Sequence, residues 1–432
     1  MRAQALAGLM VLAFGVGCST STTGSETTSS SSSSGMASSS SSGQASSGNA
    51  PRDTLLQPAL TQLTTDLASD SMNGRDEGTA GGASAREYIK AYLASCGITP
   101  AGTNGYEQPI TGGDGINLIG RIQGTDNARN MRHILLSAHY DHLGACGGGI
   151  CNGANDNAAG VAIMLGVACE LAKNPRARSV LVAAWDAEEP PTFLSAEMGS
   201  QFFAVNPVVP LDTIDAAVVM DLVGGDLWPG YAGHFLLGAE LSPEVKAAVT
   251  GATVPDGLKA HRLGLHLVEV TRAGNQPWSD YDAFRDRGVP VLFLSNGQNK
   301  QYHTPEDEIS GINFPKMAQQ APYLYAIMAA AGDATTTPTF DSGARDDAAD
   351  ADGIIAVLTD ALGRGGLAEA LSLSNASRTA MQEDLTRVEA IRVKTMANTP
   401  LSNTDVTNLR RAVQRMMCLA GSTYDEPTCA FL

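Results

Sequence analysis

The chain has 432 residues and a formal net charge of −17, with 45 acidic and 28 basic side chains. That length allows one sizeable α/β domain together with a smaller accessory unit. The negative charge excludes nucleic acid and an anionic membrane surface as main partners, because both are polyanions that repel an acidic protein.

The first residues have the pattern of an export signal. Arg2 gives a positive start, and Ala3 to Val16 is apolar but too short to span a bilayer. We assign residues 1–17 to a signal peptide and expect Cys18 to become a lipidated first residue, with an ordinary secretory signal as the alternative. Residues 18–50 are rich in Ser and Thr and predict a flexible tether. The protein would then be exported and held by its lipid in the bacterial cell envelope, at the outer membrane or the cell surface.

Export places the other six of the seven cysteines in an oxidising compartment. Cys146 and Cys151 flank a short Gly-rich loop, which predicts a disulfide; a zinc site made by these two thiols is the weaker alternative. Cys418 and Cys429 are close enough in sequence to form a second disulfide. Cys169 lies in an apolar stretch and is interpreted as a small buried hydrophobic residue.

Helical and strand patterns alternate along the folded part of the chain. Apolar runs predict strands at Ile116 to Ile122, His133 to Ser137, Ser179 to Trp185, Ala216 to Met220 and Val289 to Leu294. Helices are predicted at Thr54 to Ser69, Ala83 to Ser95, Ala158 to Lys173, Glu197 to Val205, Ser242 to Thr250, Tyr281 to Arg287 and Phe314 to Ala331. This alternation predicts an α/β fold: a three-layer αβα domain at residues 51–335 with a mostly parallel central sheet. A linker at 336–352 and a smaller helical C-terminal unit at 353–432 should follow.

Side chains suited to bind metal follow the predicted strands or lie in loops just beyond them. Open α/β sheets place their sites at the C-terminal ends of strands, so we expect these side chains to converge. They are His139, Asp141, Asp156, Glu188, Glu189, Asp221 and His303. Taken singly, Asp156 could be a helix N-cap and His303 a surface histidine. Their occurrence together favours a metal site.

The local context separates the roles of these residues. Asp141 is two residues beyond His139, a spacing at which a carboxylate can hold the far imidazole nitrogen of a metal ligand. His142 would compete with that arrangement and is treated as a non-ligand. Of the pair Glu188 and Glu189, one carboxylate can bind metal while the other takes a proton from water.

Several motifs resemble those of a known family. They run from Asn73-Gly-Arg75 and Ala85-Arg-Glu-Tyr-Ile89, through Ser279-Asp280 and Gly288-Val-Pro290, to Tyr302-His-Thr304. In these motifs the chain is similar to the secreted two-zinc aminopeptidases, whose relatives include glutaminyl cyclases, glutamate carboxypeptidases and the transferrin receptor ectodomain. The resemblance covers nearly all of the predicted α/β domain.

The resemblance implies two Zn²⁺ ions per chain and a role for each ligand. Asp156 would bridge the ions, with His139 and Asp221 completing one site and Glu189 and His303 the other. Glu188 would be the general base, and Asp141 the carboxylate behind His139. A cis peptide bond between Asp156 and Asn157 is also implied.

The implied activity is that of a zinc-dependent exopeptidase, and an aminopeptidase in particular. A hydroxide that bridges the metals would attack the peptide carbonyl while Glu188 accepts its proton. The partners would be peptides with a free N-terminus, with membrane contact only through the lipid on Cys18. Two alternatives stay open: a glutaminyl cyclase, which needs one zinc ion, and a non-catalytic binding module on the same scaffold.

The export interpretation can be tested at Cys18. Cys18→Ser should move the protein from the membrane fraction to the soluble fraction, because the lipid is its predicted membrane contact. Hydrolysis of a small peptide should be unchanged, since the tether contributes nothing to the site. Continued partition of Cys18→Ser with membranes would disprove the lipid anchor.

Overall fold

The computed structural model describes residues 54–269, 276–421 and 426–431. The predicted signal peptide, Cys18 and the tether lie outside the described residues. These described residues belong to one compact unit. Within the described ranges, no helix combines the length and apolar character needed to cross a membrane.

One mixed sheet of nine strands forms the centre of this unit. Its strands are β1 (Thr99–Pro100), β2 (Glu107–Pro109), β3 (Ile116–Ile122), β4 (His133–His139), β7 (Ser179–Trp185), β8 (Ile214–Met220), β9 (Gly233–Leu237), β10 (Lys259–Leu263) and β11 (Val291–Ser295). Their order is β1, β3, β7, β4, β8, β11, β9, β10, with β2 paired to β3. The central strands β7, β4, β8 and β11 are parallel, whereas β3 and β9 run antiparallel to their neighbours β7 and β11. A separate hairpin pairs β5 (Ala145–Cys146) with β6 (Gly149–Ile150).

Helices cover both faces of the sheet, because the side chains of a fully buried strand alternate between two apolar layers. On β4, Ile134 and Leu136 belong to one core and Leu135 to the other. The first core is closed by α1 (Gln57–Leu67), α2 (Ala80–Ser95), α3 (Ala159–Lys173), α5 (Pro243–Gly251) and α8 (Phe314–Asp333). The second is closed by α4 (Gly199–Val205), α6 (Leu265–Val268), α7 (Asp282–Arg285), α9 (Asp347–Leu362), α10 (Leu367–Ala370), α11 (Asn375–Met396), α12 (Asn403–Ala420) and α13 (Glu426–Phe431). The predicted three-layer architecture and the helical C-terminal region are confirmed.

The strands that the sequence pattern missed are short and lie toward the edges of the sheet. β10 has the sequence Lys-Ala-His-Arg-Leu, whose polar side chains hide a strand signal. β9 is a run of only five residues that follows a turn at Pro229 and Gly230. The helix predicted over 281–287 is shorter, since α7 ends at Arg285.

The C-terminal helices are part of the second core. Ile354 and Val357 of α9 and Met416 of α12 share one apolar cluster with Leu237 and Phe293 of the sheet. They therefore cover a face of the sheet that the N-terminal helices leave open. The division at residues 336–352 stays a prediction, because the chain on its two sides contributes to one core.

Three disulfides form in the described part of the chain. Cys146–Cys151 and Cys418–Cys429 are the predicted pairs. The third joins Cys169 of α3 to Cys96 at the end of α2, for which the sequence indicated no partner. Cys169 is buried, as predicted, but the interpretation of this residue as a packing side chain missed its disulfide. Two cysteines separated by 73 positions meet only when their helices pack, and local sequence does not report that contact.

The two disulfides on the α/β part should differ in their effect on stability. Replacing Cys96 and Cys169 together by Ala should lower the free energy of unfolding by about 4 kcal/mol, because that bond closes a long loop. The Cys146–Cys151 bond closes a loop of only a few residues. Replacing both of these cysteines by Ala, the matched variant, should therefore lower the free energy of unfolding by only about 2 kcal/mol. Urea unfolding measures both values. Equal losses, or the reverse order, would contradict the assignment.

Candidate metal centre

The ends of three adjacent parallel strands bring the predicted site residues together. His139 is the last residue of β4 and pairs in register with Trp185, the last residue of β7. Glu188 and Glu189 follow β7 after a short turn, and Asp221 follows β8 directly. Because the strands are parallel and adjacent, these ends share one edge of the sheet.

A first group of ligand atoms surrounds the His139 ring. Its Nε2 atom lies 3.3 Å from Asp156 Oδ1 and 3.4 Å from Asp221 Oδ1. All three side chains are buried, and their nitrogen and oxygen atoms lie within 4.8 Å of one another. These three donor atoms can therefore reach one ion.

A second group forms on the other side of Asp156. His303 Nε2 lies 3.0 Å from Glu189 Oε2 and 3.3 Å from Asp156 Oδ2. His142 also enters this group, with its Nδ1 atom 2.7 Å from Glu189 Oε1 and 3.9 Å from Asp156 Oδ2. One carboxylate oxygen of Asp156 thus faces each group. This is the geometry that a bridging ligand requires.

Glu188 belongs to neither group. Its Oε2 atom lies 3.9 Å from His139 Nε2, so the carboxylate is beside the first group but farther away than Asp156 and Asp221. Burial raises the pKa of Glu188 well above its usual value, and the nearby charges of Asp221 and Asp280 add to the rise. Glu188 is placed to exchange a proton with a molecule bound at the groups.

The donor set fits zinc. Imidazole nitrogen and carboxylate oxygen are ordinary zinc ligands. Asp156 Oδ2 and His303 Nε2 are buried and have no hydrogen-bond partner, although they face each other. Buried polar atoms without a hydrogen bond are costly, and a cation bound between these two would remove that cost.

The pKa shifts of His303 and Asp156 agree with a cation site between them. Burial alone would lower the pKa of His303, but Asp156 and Glu189 outweigh it and raise the pKa to about 10. Burial alone would raise the pKa of Asp156, yet His139 and His303 hold it well below its usual value. Without a metal ion, the raised pKa values of His139 and His303 therefore favour imidazolium cations among the carboxylates. A metal ion would have to displace those protons.

Two carboxylates position the ligands. Asp141 accepts a hydrogen bond of 3.0 Å from the Glu189 backbone amide, and its Oδ1 atom lies 3.5 Å from His139 Nδ1. Asp307 accepts bonds of 2.8 Å and 3.0 Å from the backbone amides of Asn155 and Asp156. Asp141 thus connects the first histidine to the second group, and Asp307 fixes the loop that carries the bridge. The Asp156–Asn157 peptide bond is cis, as the resemblance implies.

Sequence reasoning missed three further residues at this centre. His142 was treated as a non-ligand, but it contacts Glu189. Asp280 is fully buried near His139, both of its carboxylate oxygens lack a hydrogen-bond partner, and burial raises its pKa to about 7. Arg75 is buried, and its guanidinium donates hydrogen bonds to the backbone carbonyls of Tyr140 and Gly153. His142 directly follows Asp141, and Arg75 and Asp280 lie in the motifs that resemble the aminopeptidase family. The sequence pattern nevertheless assigned none of them a role at the metal centre.

Parts of the chain are similar to known proteins. The model of Peptidase family M28 matches residues 117–328. An uncharacterised protein of Escherichia coli strain K12, YfbL, is 28% identical over 280 residues, covering 60% of this chain and 81% of that protein. The LapA aminopeptidase of Legionella pneumophila has a similar fold at 16% identity, covering 65% of this chain and 73% of LapA with a TM-score of 0.51. The glutaminyl cyclase of Porphyromonas gingivalis matches at 19% identity and a TM-score of 0.50, covering 64% of this chain and 98% of the cyclase. The residues that match the Peptidase family M28 model include every candidate ligand of the metal centre, from His139 to His303.

Proposed function

We propose that this protein is a zinc-dependent exopeptidase that releases N-terminal residues from peptides, with two zinc ions per chain. The observation that carries the proposal is the position of Asp156, whose two carboxylate oxygens face two separate groups of ligands. His139 and Asp221 would hold one ion, and Glu189 and His303 the other. The match of these residues to a peptidase family model supports the same activity.

Glu188 is the residue best placed for proton transfer. When bound, zinc lowers the pKa of water and polarises a carbonyl oxygen, which supplies both a nucleophile and stabilisation of negative charge. Glu188 would accept the proton from the attacking water and return it to the leaving amine. It is buried, adjacent to the first group and not needed as a ligand there. Asp141 would keep His139 and Glu189 in place during these steps.

The charge of the site favours a substrate amine over a substrate carboxylate. Asp156, Glu189 and Asp221 bring three negative charges against the four positive charges of two zinc ions, and ionised Glu188 balances the remainder. With zinc and a nucleophilic hydroxide present, the pocket would be slightly negative, and this would attract an α-ammonium group. The guanidinium of buried Arg75 is engaged by backbone carbonyls and is not offered to a terminal carboxylate.

Zinc titration tests the two groups separately. The metal-free chain should bind about two equivalents, and His139→Ala and His303→Ala should each bind about one fewer, since each loses a ligand of a different group. Binding should release protons and weaken as the pH falls, because His303 has its pKa raised to about 10 and its proton competes with the metal. His133→Gln, at the opposite end of β4, is the matched control and should keep the full zinc content. Undiminished zinc in both His139→Ala and His303→Ala would refute the assignment.

A peptide panel tests the activity. Free-amine and C-terminally amidated peptides should be hydrolysed, whereas the N-acetylated peptide should not, because acetylation removes the α-ammonium. A glutamine-first peptide separates the alternatives: hydrolysis supports the exopeptidase, and ammonia release with cyclisation indicates a glutaminyl cyclase. Mass spectrometry of the products distinguishes these outcomes. Cleavage of the acetylated peptide at the rate of the free amine would contradict the proposal.

Two variants serve as controls for this panel. Glu188→Gln should keep its zinc and lose turnover by about 10²–10⁴, the usual contribution of a positioned acid or base. Glu189→Gln should lose zinc instead, because Glu189 is a ligand in the second group. An exchange of these two phenotypes would show that the roles of the pair are reversed.

A further inference from the structure

Three side chains outside the metal centre form a second cluster of metal-binding groups. His266 lies on α6, and Asp347 and Asp350 lie in the first turn of α9. A ring nitrogen of His266 and one carboxylate oxygen of each aspartate lie within 4.8 Å of one another. These residues are distinct from the two ligand groups around Asp156, so this His266 cluster is a separate candidate site.

Local packing directs these side chains toward one point. Asp347 and Asp350 are three residues apart on α9, a spacing that places both on one face of the helix. Asp350 Oδ1 accepts a hydrogen bond of 2.7 Å from the backbone amide of Gly264, the residue before α6. The His266 ring packs against the same glycine, where an added Cβ would lie 2.5 Å from Nδ1. With Nδ1 against this backbone, Nε2 is the ring nitrogen that faces Asp350 Oδ2, at 3.8 Å.

These two facing atoms lack hydrogen-bond partners. Among the residues that the structure describes, nothing donates to or accepts from His266 Nε2 or Asp350 Oδ2, although both atoms are buried. Their separation of 3.8 Å is too long for a hydrogen bond between them, and the Asp350 side chain is only 1% exposed. Two metal–ligand bonds of about 2.1 Å can span up to ~4.2 Å. One ion can therefore bind both atoms and remove the cost of leaving them unpaired.

The charge and the access of the cluster suit a cation. An imidazole nitrogen with carboxylate oxygens is a donor set for zinc. Arg345 forms an ion pair with Asp347, whereas no Lys or Arg among the described residues forms one with Asp350. His266 and Arg345 line a groove of about 750 Å³, which gives an ion a path of entry. Because the ion competes with Arg345 for Asp347, it should bind more weakly here than at the metal centre.

We infer that His266, Asp347 and Asp350 bind a zinc ion that joins α6 to α9. Water would complete the coordination, since three protein ligands leave one position of a tetrahedral site open. His266 lies within the residues that match the peptidase family model, whereas both aspartates lie beyond residue 328, where that match ends. The ion would thus connect the C-terminal helices to the α/β part of the chain. This inference is independent of the proposed peptidase activity.

The test titrates zinc into the full chain, beyond the equivalents that the metal centre takes up, by isothermal titration calorimetry. The wild type should bind one additional, weaker equivalent. His266→Gln should lower the affinity for this equivalent at least about tenfold, because it removes one of three ligands. Asp352→Asn, at a more exposed aspartate of the same helix, is the matched control and should keep it. His139→Ala, which alters only the metal centre, should also keep it.

Asp347→Asn provides a second variant if His266→Gln does not fold, as judged by circular dichroism. Its side chain is 30% exposed, so the fold should tolerate the change, and the same equivalent should bind at least about tenfold more weakly. Absence of any zinc uptake beyond the metal centre in the wild type would overturn the inference. Additional zinc that binds the folded variants with wild-type affinity would also overturn it, because that zinc would be held elsewhere on the surface.

Discussion

The crowding of buried carboxylates at one edge of the sheet is the constraint on which the rest of the structure depends. Asp156, Glu188, Glu189 and Asp221 are each at most 7% exposed, and Asp280 is fully buried beside them. Like charges in an apolar interior repel one another and lose their hydration. The histidines offset part of this repulsion by taking up protons. A fold that keeps so many acidic groups together therefore requires cations, and the proposed zinc ions would supply them.

Arg75 supplies a buried positive charge that offsets part of the repulsion among these carboxylates. Its buried guanidinium donates to the carbonyls of Leu67, Asn152 and Gly153 as well as that of Tyr140. Burial lowers its pKa to about 10, so it remains charged at neutral pH. One cation thus connects the end of α1 to the loops that carry the ligands. Its charge offsets part of the repulsion among the nearby carboxylates of Asp307, Asp156 and Asp141.

The parts of the molecule that were predictable from sequence are those with a local signal. The buried strands β4, β7 and β8 are continuous apolar runs, and the ligands follow their ends, so the strands and the place of the site could be predicted together. Contacts between distant segments have no such signal. His142 was set aside because its neighbour Asp141 suggested a competing role, and only the path of the loop brings it to Glu189. The Cys96–Cys169 bond likewise depends on how α2 and α3 pack.

The packing of the C-terminal helices against the sheet is also a contact between distant segments, and local sequence did not predict it. Their composition predicted helices but gave no indication of what they cover, because apolar stripes are alike whether they close an independent bundle or a sheet. In the structure they close the second face, where Leu237 and Phe293 would otherwise meet water. Phe293 and Met416 also line a cavity beside Asp221. Helix packing and the shape of this cavity are thus coupled, because both depend on the contact between these helices and the sheet.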